Sequence, residues 1–168
     1  MRRLLAGFSA AVGFALLGPG GIAHGAPSSS YVSIANLSGG VGSSAYCATP
    51  QGDSTANGAI ITLWRCTGGA SQKWHKDSLG RLVNDASGKC LTPKGDAYST
   101  NGAVLTLWTC SSTAASQRWD TTPPITHHYS DKALTPKGNN MTNGVYLTLW
   151  TWTQSSVQNW QMTTITTA

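Results

Sequence analysis

Asn57-Gly58-Ala59-Ile60-Ile61-Thr62-Leu63-Trp64 returns twice along the chain, as Asn101-Gly102-Ala103-Val104-Leu105-Thr106-Leu107-Trp108 and as Asn143-Gly144-Val145-Tyr146-Leu147-Thr148-Leu149-Trp150. The copies are spaced by 44 and 42 residues, and a fixed period of that size decides the architecture before any local reading does. Each copy is preceded by Thr-Pro-x-Gly, at Thr49-Pro50, Thr92-Pro93 and Thr135-Pro136. Each is closed by Gln-x-Trp, at Gln72 and Trp74, Gln117 and Trp119, Gln158 and Trp160. Asn-Gly between apolar runs is the strongest short-range hairpin signal, because both residues accept the positive φ of a type I′ turn. The sequence therefore predicts one such hairpin in every copy.

In the arm after the turn, Ile61 and Leu63 alternate with Thr62 and Trp64. A strand turns successive side chains to opposite faces, so the aliphatic pair belongs to the core and the Thr-Trp pair to the other face. Beyond the leader no segment carries a helical period, and Gly, Thr and Pro punctuate it throughout, so the class is all-β. A two-sheet sandwich has no natural use for threefold repetition, and propellers typically carry 4 to 8 blades. A closed assembly about a pseudo-threefold axis remains, with about twelve strands in three repeats of about 31–78, 79–122 and 123–168. The opening strands are expected near Tyr31 to Ala35, Leu82 to Asn84 and Thr126 to Tyr129.

Met1-Arg2-Arg3 leads into an apolar run from Leu4 through Leu17, followed by small residues at Ala23, Gly25 and Ala26. That order is a secretory signal. The run is interrupted by glycines and Pro19 and falls short of the roughly 20 apolar residues that a bilayer span needs. Residues 1–25 are thus expected to be cleaved, after Gly25 or Ala26, leaving one secreted, monomeric domain over 26–168 with no membrane anchor. Without Arg2 and Arg3 the net charge of +5 falls to +3, and the other Lys and Arg residues stand singly. No run of them could track phosphates, so nucleic acid is not an expected partner. A hydroxyl-rich, aromatic chain with only 10% charged residues suits an uncharged polar ligand.

Four cysteines, Cys47, Cys66, Cys90 and Cys110, lie in the first two repeats. An even count in a small secreted domain implies disulfides. Cys47 and Cys66 straddle the first Asn-Gly nearly symmetrically, as Cys90 and Cys110 do the second, so these are the expected bonds. The third repeat holds Ala133 and Trp152 at the equivalent positions, both cysteines missing together. Trp152 either packs over Ala133 in the vacated space or stands as an independent exposed aromatic.

The triplicate, the Gln-x-Trp closures, the paired cysteines and the Asn-Gly … Leu-Trp-x-Cys stretch resemble the ricin-type lectins and their bacterial relatives, the family-13 carbohydrate-binding modules. The resemblance runs from about Tyr31 to Met162. It implies a β-trefoil with up to three shallow sugar sites, one per repeat. It makes Trp74, Trp119 and Trp160 core residues and places Gln72, Gln117 and Gln158 in hydrogen bonds within their repeats, at the edge of the sugar sites. The stacking aromatic of the family matches Trp64, Trp108 and Trp150, whose indole faces can receive the C–H face of a pyranose.

This chain departs from the family at the polar positions. The family's sugar-gripping Asp is Thr49, Thr92 and Thr135 here, its Gln before the aromatic is Thr62, Thr106 and Thr148, and its Asn before Gln-x-Trp is Ser71, Ser116 and Val157. Hydroxyls are weaker acceptors than carboxylates, which puts the usual galactose-type recognition in doubt. Asp53, Asp96 and Asn139, four residues after those first threonines, are candidates for the missing edge hydrogen bonds; as turn formers they would instead stabilise the loop.

The chain has no Glu, and its acids are Asp53, Asp77, Asp85, Asp96, Asp120 and Asp131. Glycoside hydrolysis needs two carboxylates facing one bond, and no such pair stands out. His127 and His128, being adjacent on a strand, point to opposite faces and cannot share a metal. None of the cysteines forms a Cys-x-x-Cys pair. The expectation is a secreted oligosaccharide- or polysaccharide-binding protein without enzymatic activity, cofactor or metal; the alternative is a β-trefoil scaffold that binds a protein or inhibits a hydrolase. Repetition separates the two, because inhibition needs one special loop and sugar sites need the same aromatic in every copy. Asn36-Leu37-Ser38 and Asn140-Met141-Thr142 are candidate glycosylation sequons.

Overall fold

The computed structural model describes residues 29–167, so the expected leader over 1–25 lies outside the described residues. Twelve strands form three four-stranded antiparallel sheets. The first joins β1 (Ser29–Asn36), β2 (Tyr46–Pro50) and β3 (Ile61–Arg65) to the last strand, β12 (Trp160–Thr167). The second is built from β4 (Trp74–Lys76), β5 (Leu82–Asn84), β6 (Lys89–Pro93) and β7 (Leu105–Trp108). The third contains β8 (Trp119–Asp120), β9 (Thr126–His127), β10 (Ala133–Pro136) and β11 (Leu147–Trp150). Each repeat thus lends its fourth strand to the next, and β12 returns to β1, with Tyr31 opposite Ile165 and Asn36 opposite Trp160. This is the β-trefoil. The third opening strand stops at His127, two residues short of the expected Tyr129, because Ser130 and Asp131 turn back to donate to the His127 carbonyl.

Strand parity follows the sequence pattern. Ile61, Leu63, Leu105, Leu107, Leu147 and Leu149 are fully buried in one core with Trp74, Trp119 and Trp160, while Trp64, Trp108 and Trp150 face out. The core indoles are satisfied as buried N–H groups must be. Trp74 Nε1 donates to the Ala48 carbonyl (2.9 Å) and Trp119 Nε1 to the Leu91 carbonyl (3.1 Å). Trp160 instead donates to Val157 (2.9 Å), a first sign that the third repeat has diverged.

The Asn-Gly turns differ from expectation. Only the glycines take positive φ (84° at Gly58, 83° at Gly102, 84° at Gly144), and Ala59 N–H donates to the Ala56 carbonyl (3.2 Å). Positive φ confined to the third residue of four marks a type II turn, not type I′. The reason is the preceding Thr-Pro-x-Gly, which ends β2 at Pro50 and adds a short 3-10 turn, so the strands pair only from Pro50 and Ile61 outward. Asn-Gly is consequently the tip of a ten-residue connection, and that tip reaches the neighbouring repeat. Gly58 N–H donates to the Leu107 carbonyl and Leu107 N–H to Ala59, both at 2.8 Å. Gly102 and Ala103 clasp Leu149 in the same way, and Gly144 and Val145 clasp Leu63. The Asn side chains add to this: Asn143 Oδ1 accepts from Arg65 N–H (2.9 Å) and Asn101 Oδ1 from Thr151 N–H (3.0 Å).

Disulfides join Cys47 to Cys66 and Cys90 to Cys110, as the sequence predicts. In the chain-entropy picture each closes a loop of about 20 residues and contributes on the order of 3 kcal/mol.

His127 is fully buried, stacked on the Tyr98 ring at 4.6 Å and edge-on to Trp119 at 5.3 Å. Its Nδ1 accepts from the Tyr129 N–H (3.3 Å), so the neutral ring carries its hydrogen on Nε2. Desolvation is the main cause that drives its pKa down from 6.5 to about 4, and the His128 charge adds to the fall; carbonyls of Ser116 and Ala115 and the Asp120 charge oppose it. His128 is exposed and meets Asp120 at 3.0 Å.

Two outcomes follow from this architecture. Gly102→Ala forces a β-carbon into left-handed backbone and should lower stability by about 1–2 kcal/mol in urea titration; an unchanged midpoint would mean that the turn does not help to hold the repeats together. The unfolded His127 takes up a proton near pH 6.5 and the folded one only near 4, so the unfolded state binds more protons between those values. The stability His127 contributes is therefore complete above pH 6.5 and lost as the pH falls towards 4, by about 3 kcal/mol in all. His127→Phe keeps the stack on Tyr98 and should flatten the loss between pH 6.5 and 4.5; a variant with the parent's slope would exclude His127 as its source.

Candidate functional site: three related grooves

Where β2 meets β3, Thr49 sits directly opposite Thr62, and both side chains are nearly buried. Thr49 Oγ1 donates to the Cys47 carbonyl (3.0 Å) and Thr62 Oγ1 to the Thr49 carbonyl (2.9 Å). Gln72 locks this floor from behind. Its Nε2 donates to Thr49 Oγ1 (3.1 Å) and to the Arg65 carbonyl (3.0 Å), while its Oε1 accepts from Thr67 N–H (2.8 Å). The second repeat copies the arrangement with Thr92, Thr106 and Gln117, and the third with Thr135, Thr148 and Gln158. The threonine hydroxyls and glutamine amides are thus engaged inside the protein, and the floor they present outward is largely the threonine methyl.

Trp64, Trp108 and Trp150 end the second arm of each hairpin and stand 44%, 51% and 46% exposed. Each indole edge rests against the bare backbone of a turn from another repeat. A β-carbon on Gly144 would lie 3.7 Å from Cζ3 of Trp64, one on Gly102 3.7 Å from Trp150, and one on Gly58 4.0 Å from Trp108. The rim opposite the indole is the 3-10 turn after the proline, where Asp53, Asp96 and Asn139 adopt φ of 55°, 56° and 57°. Asp and Asn tolerate that left-handed backbone better than most residues. The resulting grooves measure about 460 Å³ at Trp64, 240 Å³ at Trp108 and 340 Å³ at Trp150.

Each candidate quartet from the sequence is brought together: the tryptophan, the two threonines and the Asp or Asn line a single groove in every repeat. Sequence reasoning missed the anchor of the rim. Ser71 Oγ donates to Asp53 Oδ1 (2.5 Å) and Ser116 Oγ to Asp96 Oδ1 (2.5 Å), which leaves the second carboxylate oxygen of each free to accept. In the third repeat the serine position is Val157, which has no hydroxyl to give, and the acid is correspondingly Asn139. The signal was present as a pair: Ser with Asp twice, Val with Asn once.

Charge distinguishes the grooves. The rim turns are Gln51-Gly52-Asp53, Lys94-Gly95-Asp96 and Lys137-Gly138-Asn139, one anionic, one balanced and one cationic. The Lys94 and Lys137 side chains are exposed on the rims they line.

Trp152 is an exposed aromatic, 47% accessible, in a separate groove; Ala133 beneath the third hairpin is fully buried without it being drawn into the core. Asn36 of the first sequon is fully buried, with Nδ2 donating to the Ser156 carbonyl (3.0 Å), so it is closed to glycosylation in the folded chain. Asn140 is exposed. Among the described residues, no helix is long and apolar enough to cross a membrane, and no three His, Cys, Asp or Glu side chains cluster as metal ligands.

The family described as ricin-type beta-trefoil lectin domain matches residues 39–160. The chain belongs to that family. No curated protein matches it in sequence. Among solved structures, the lectin fold is similar to the designed threefold-symmetric protein ThreeFoil, at 23% identity and a TM-score of 0.67 over 79% of this chain and 96% of that one. It is similar also to the C-half of an earthworm R-type lectin in complex with GalNAc, at 14% identity and a TM-score of 0.64 over 80% and 98%. An exo-β-1,3-galactanase from Clostridium thermocellum aligns at 23% identity and a TM-score of 0.69, over 78% of this chain but only 29% of that enzyme.

Support and display can be separated by mutation. Gln72→Ala removes a buried side chain that satisfies Thr49, Thr67 and Arg65 and should cost about 2–3 kcal/mol. Trp64→Ala removes a half-exposed ring and should cost under about 1 kcal/mol. Equal losses in urea titration would put Trp64 in the core and undo the distinction.

Proposed function

We propose that this protein is a secreted, monomeric lectin that binds neutral oligosaccharide or polysaccharide chains through three shallow sites and catalyses no reaction. The observation that carries this is the half-exposed indole repeated at three related grooves, each with an uncharged floor of paired threonines. A pyranose lays its C–H face on Trp64, Trp108 or Trp150, and its edge hydroxyls meet the free carboxylate oxygen of Asp53 or Asp96, or the Asn139 amide. Thr49, Thr62 and Gln72, with their counterparts Thr92, Thr106, Gln117, Thr135, Thr148 and Gln158, hold the groove's shape beneath the sugar. With Thr in place of the family's Asp, the gripping carboxylate has moved four residues along to the rim, where a serine fixes it. That relocation changes which hydroxyls can be reached and argues against galactose-type recognition of the usual kind.

Each site alone is weak, since one stacked ring contributes on the order of 1 kcal/mol beyond area burial. Three on one rigid body gain by avidity on a polymer, where a second contact is made at high local concentration. The experiment is a titration of neutral and uronate-containing polysaccharides by calorimetry or retarded electrophoresis. Each single Trp→Ala change is expected to weaken polymer binding several-fold, the triple change Trp64→Ala, Trp108→Ala and Trp150→Ala by at least ~100-fold, and Asp53→Ala with Asp96→Ala by an intermediate amount. Full retention of polysaccharide binding in the triple variant would sink the proposal.

A further inference from the structure

We propose that Trp152 is the platform of a fourth sugar subsite, unlike the other three and present once per molecule. It rests on the reading of this chain as a sugar binder only for the class of ligand. The site itself is separate: its groove, about 480 Å³, shares no lining residue with the groove at Trp150. At 47% exposure Trp152 is displayed to the same degree as Trp64, Trp108 and Trp150.

The groove is assembled from four distant stretches of chain. Trp152 follows β11, Ser38 lies in the turn after β1, Pro123 and Pro124 precede β9, and Gln161 begins β12 beside Asn159. A buried residue ties the walls together. Asn36 Oδ1 accepts from the Ser38 N–H (2.9 Å) while its Nδ2 donates to the Ser156 carbonyl (3.0 Å), so the turn after β1 and the turn before β12 are held at fixed separation. Gln161 is set by its register opposite Ala35 in the longest strand pair of the fold. Two prolines with restricted φ make the remaining wall. A site whose walls are fixed in advance loses little ordering entropy on binding.

Its chemistry selects the ligand. No charged side chain lines the groove, so an anionic or cationic group would find no counter-charge. Asn159 and Gln161 carry carboxamides whose side chains enter no hydrogen bond among the described residues. A carboxamide both donates and accepts, which matches the dual character of a sugar hydroxyl. A single indole sharing its groove with two carboxamides suits a pyranose; a proline-rich peptide would call for a row of aromatic ridges. In the first two repeats the position of Trp152 is occupied by Cys66 and Cys110 in disulfides, which excludes the same site there.

The seven indole N–H signals of the ¹⁵N-labelled protein, assigned by single Trp→Phe changes, report each site separately. Neutral gluco-, galacto- and xylo-oligosaccharides and a proline-rich decapeptide are titrated in turn. The Trp152 signal is expected to shift with a neutral oligosaccharide and to do so still in the Trp64→Ala, Trp108→Ala, Trp150→Ala variant. Asn159→Ala with Gln161→Ala should weaken that shift at least ~10-fold while leaving the midpoints at Trp64, Trp108 and Trp150 unchanged. A still Trp152 signal while the other three move overturns the fourth site and leaves the three-groove reading standing. No movement at any of the four overturns both, and a Trp152 response to the peptide alone overturns the sugar assignment of this groove.

Discussion

Each hairpin turn clasps a leucine of another repeat with two backbone hydrogen bonds, and the ring this makes, through Leu63, Leu107 and Leu149, is the constraint on which the remainder depends. No repeat can satisfy its own turn. The glycine N–H at each tip finds its protein acceptor on the neighbouring repeat, at the carbonyl of Leu107, Leu149 or Leu63. Net, six such bonds contribute only about 1 kcal/mol each. Their larger effect is positional: they bring a residue without a side chain against each indole edge, so that every groove has one wall from its own repeat and one from another. The grooves and the ring of turns are consequently one construction, which explains why the same Asn-Gly appears three times in register with the same Trp.

Much of this was legible along the chain because it is written in local pattern. Alternation alone separated Leu63 from Trp64, and the near-symmetric placement of the cysteines about Asn-Gly identified the disulfide partners. The turn type was misread, since Asn-Gly suggests a two-residue hairpin when considered alone. Pro50 and Gly52, a few residues earlier, had already ended the strand and lengthened the connection. What depended on contacts between repeats was out of reach. The packing of Gly144 on Trp64 links residues 80 positions apart, and no periodicity encodes it. The bond between Ser71 and Asp53 lay between these extremes, because the two residues change together in the third copy but only proximity reveals why.

Three copies of a site need not be three equal sites. The floor is held constant, with paired threonines and a buried glutamine in each, because that network also closes the strands around it. The rim is free to vary, being a turn whose backbone is fixed by Gly52, Gly95 and Gly138 and whose side chains point to solvent. Variation accumulates there as charge: Asp alone, Lys with Asp, then Lys alone. A polymer crossing all three grooves therefore meets one hydrophobic pattern and three different fields, and exposed charges of that kind act within about 10 Å at moderate salt.

The third repeat has gone furthest from the common plan, and its changes are connected. It has no covalent tie between β10 and the segment after β11, and that segment carries the Trp152 ring outward. Val157 and Asn139 make no counterpart of the Ser-Asp bond, although the rim keeps its backbone (φ 57° at Asn139), and the Trp160 indole donates to the Val157 carbonyl in place of the strand carbonyl used by Trp74 and Trp119. The fold tolerates this because the third repeat is closed from the other side, by the eight-residue pairing of β1 with β12, the longest in the molecule. The eight-residue pairing of β1 with β12 ties the last strand of the third repeat to the first, and Trp152 stands exposed on the segment between β11 and that strand.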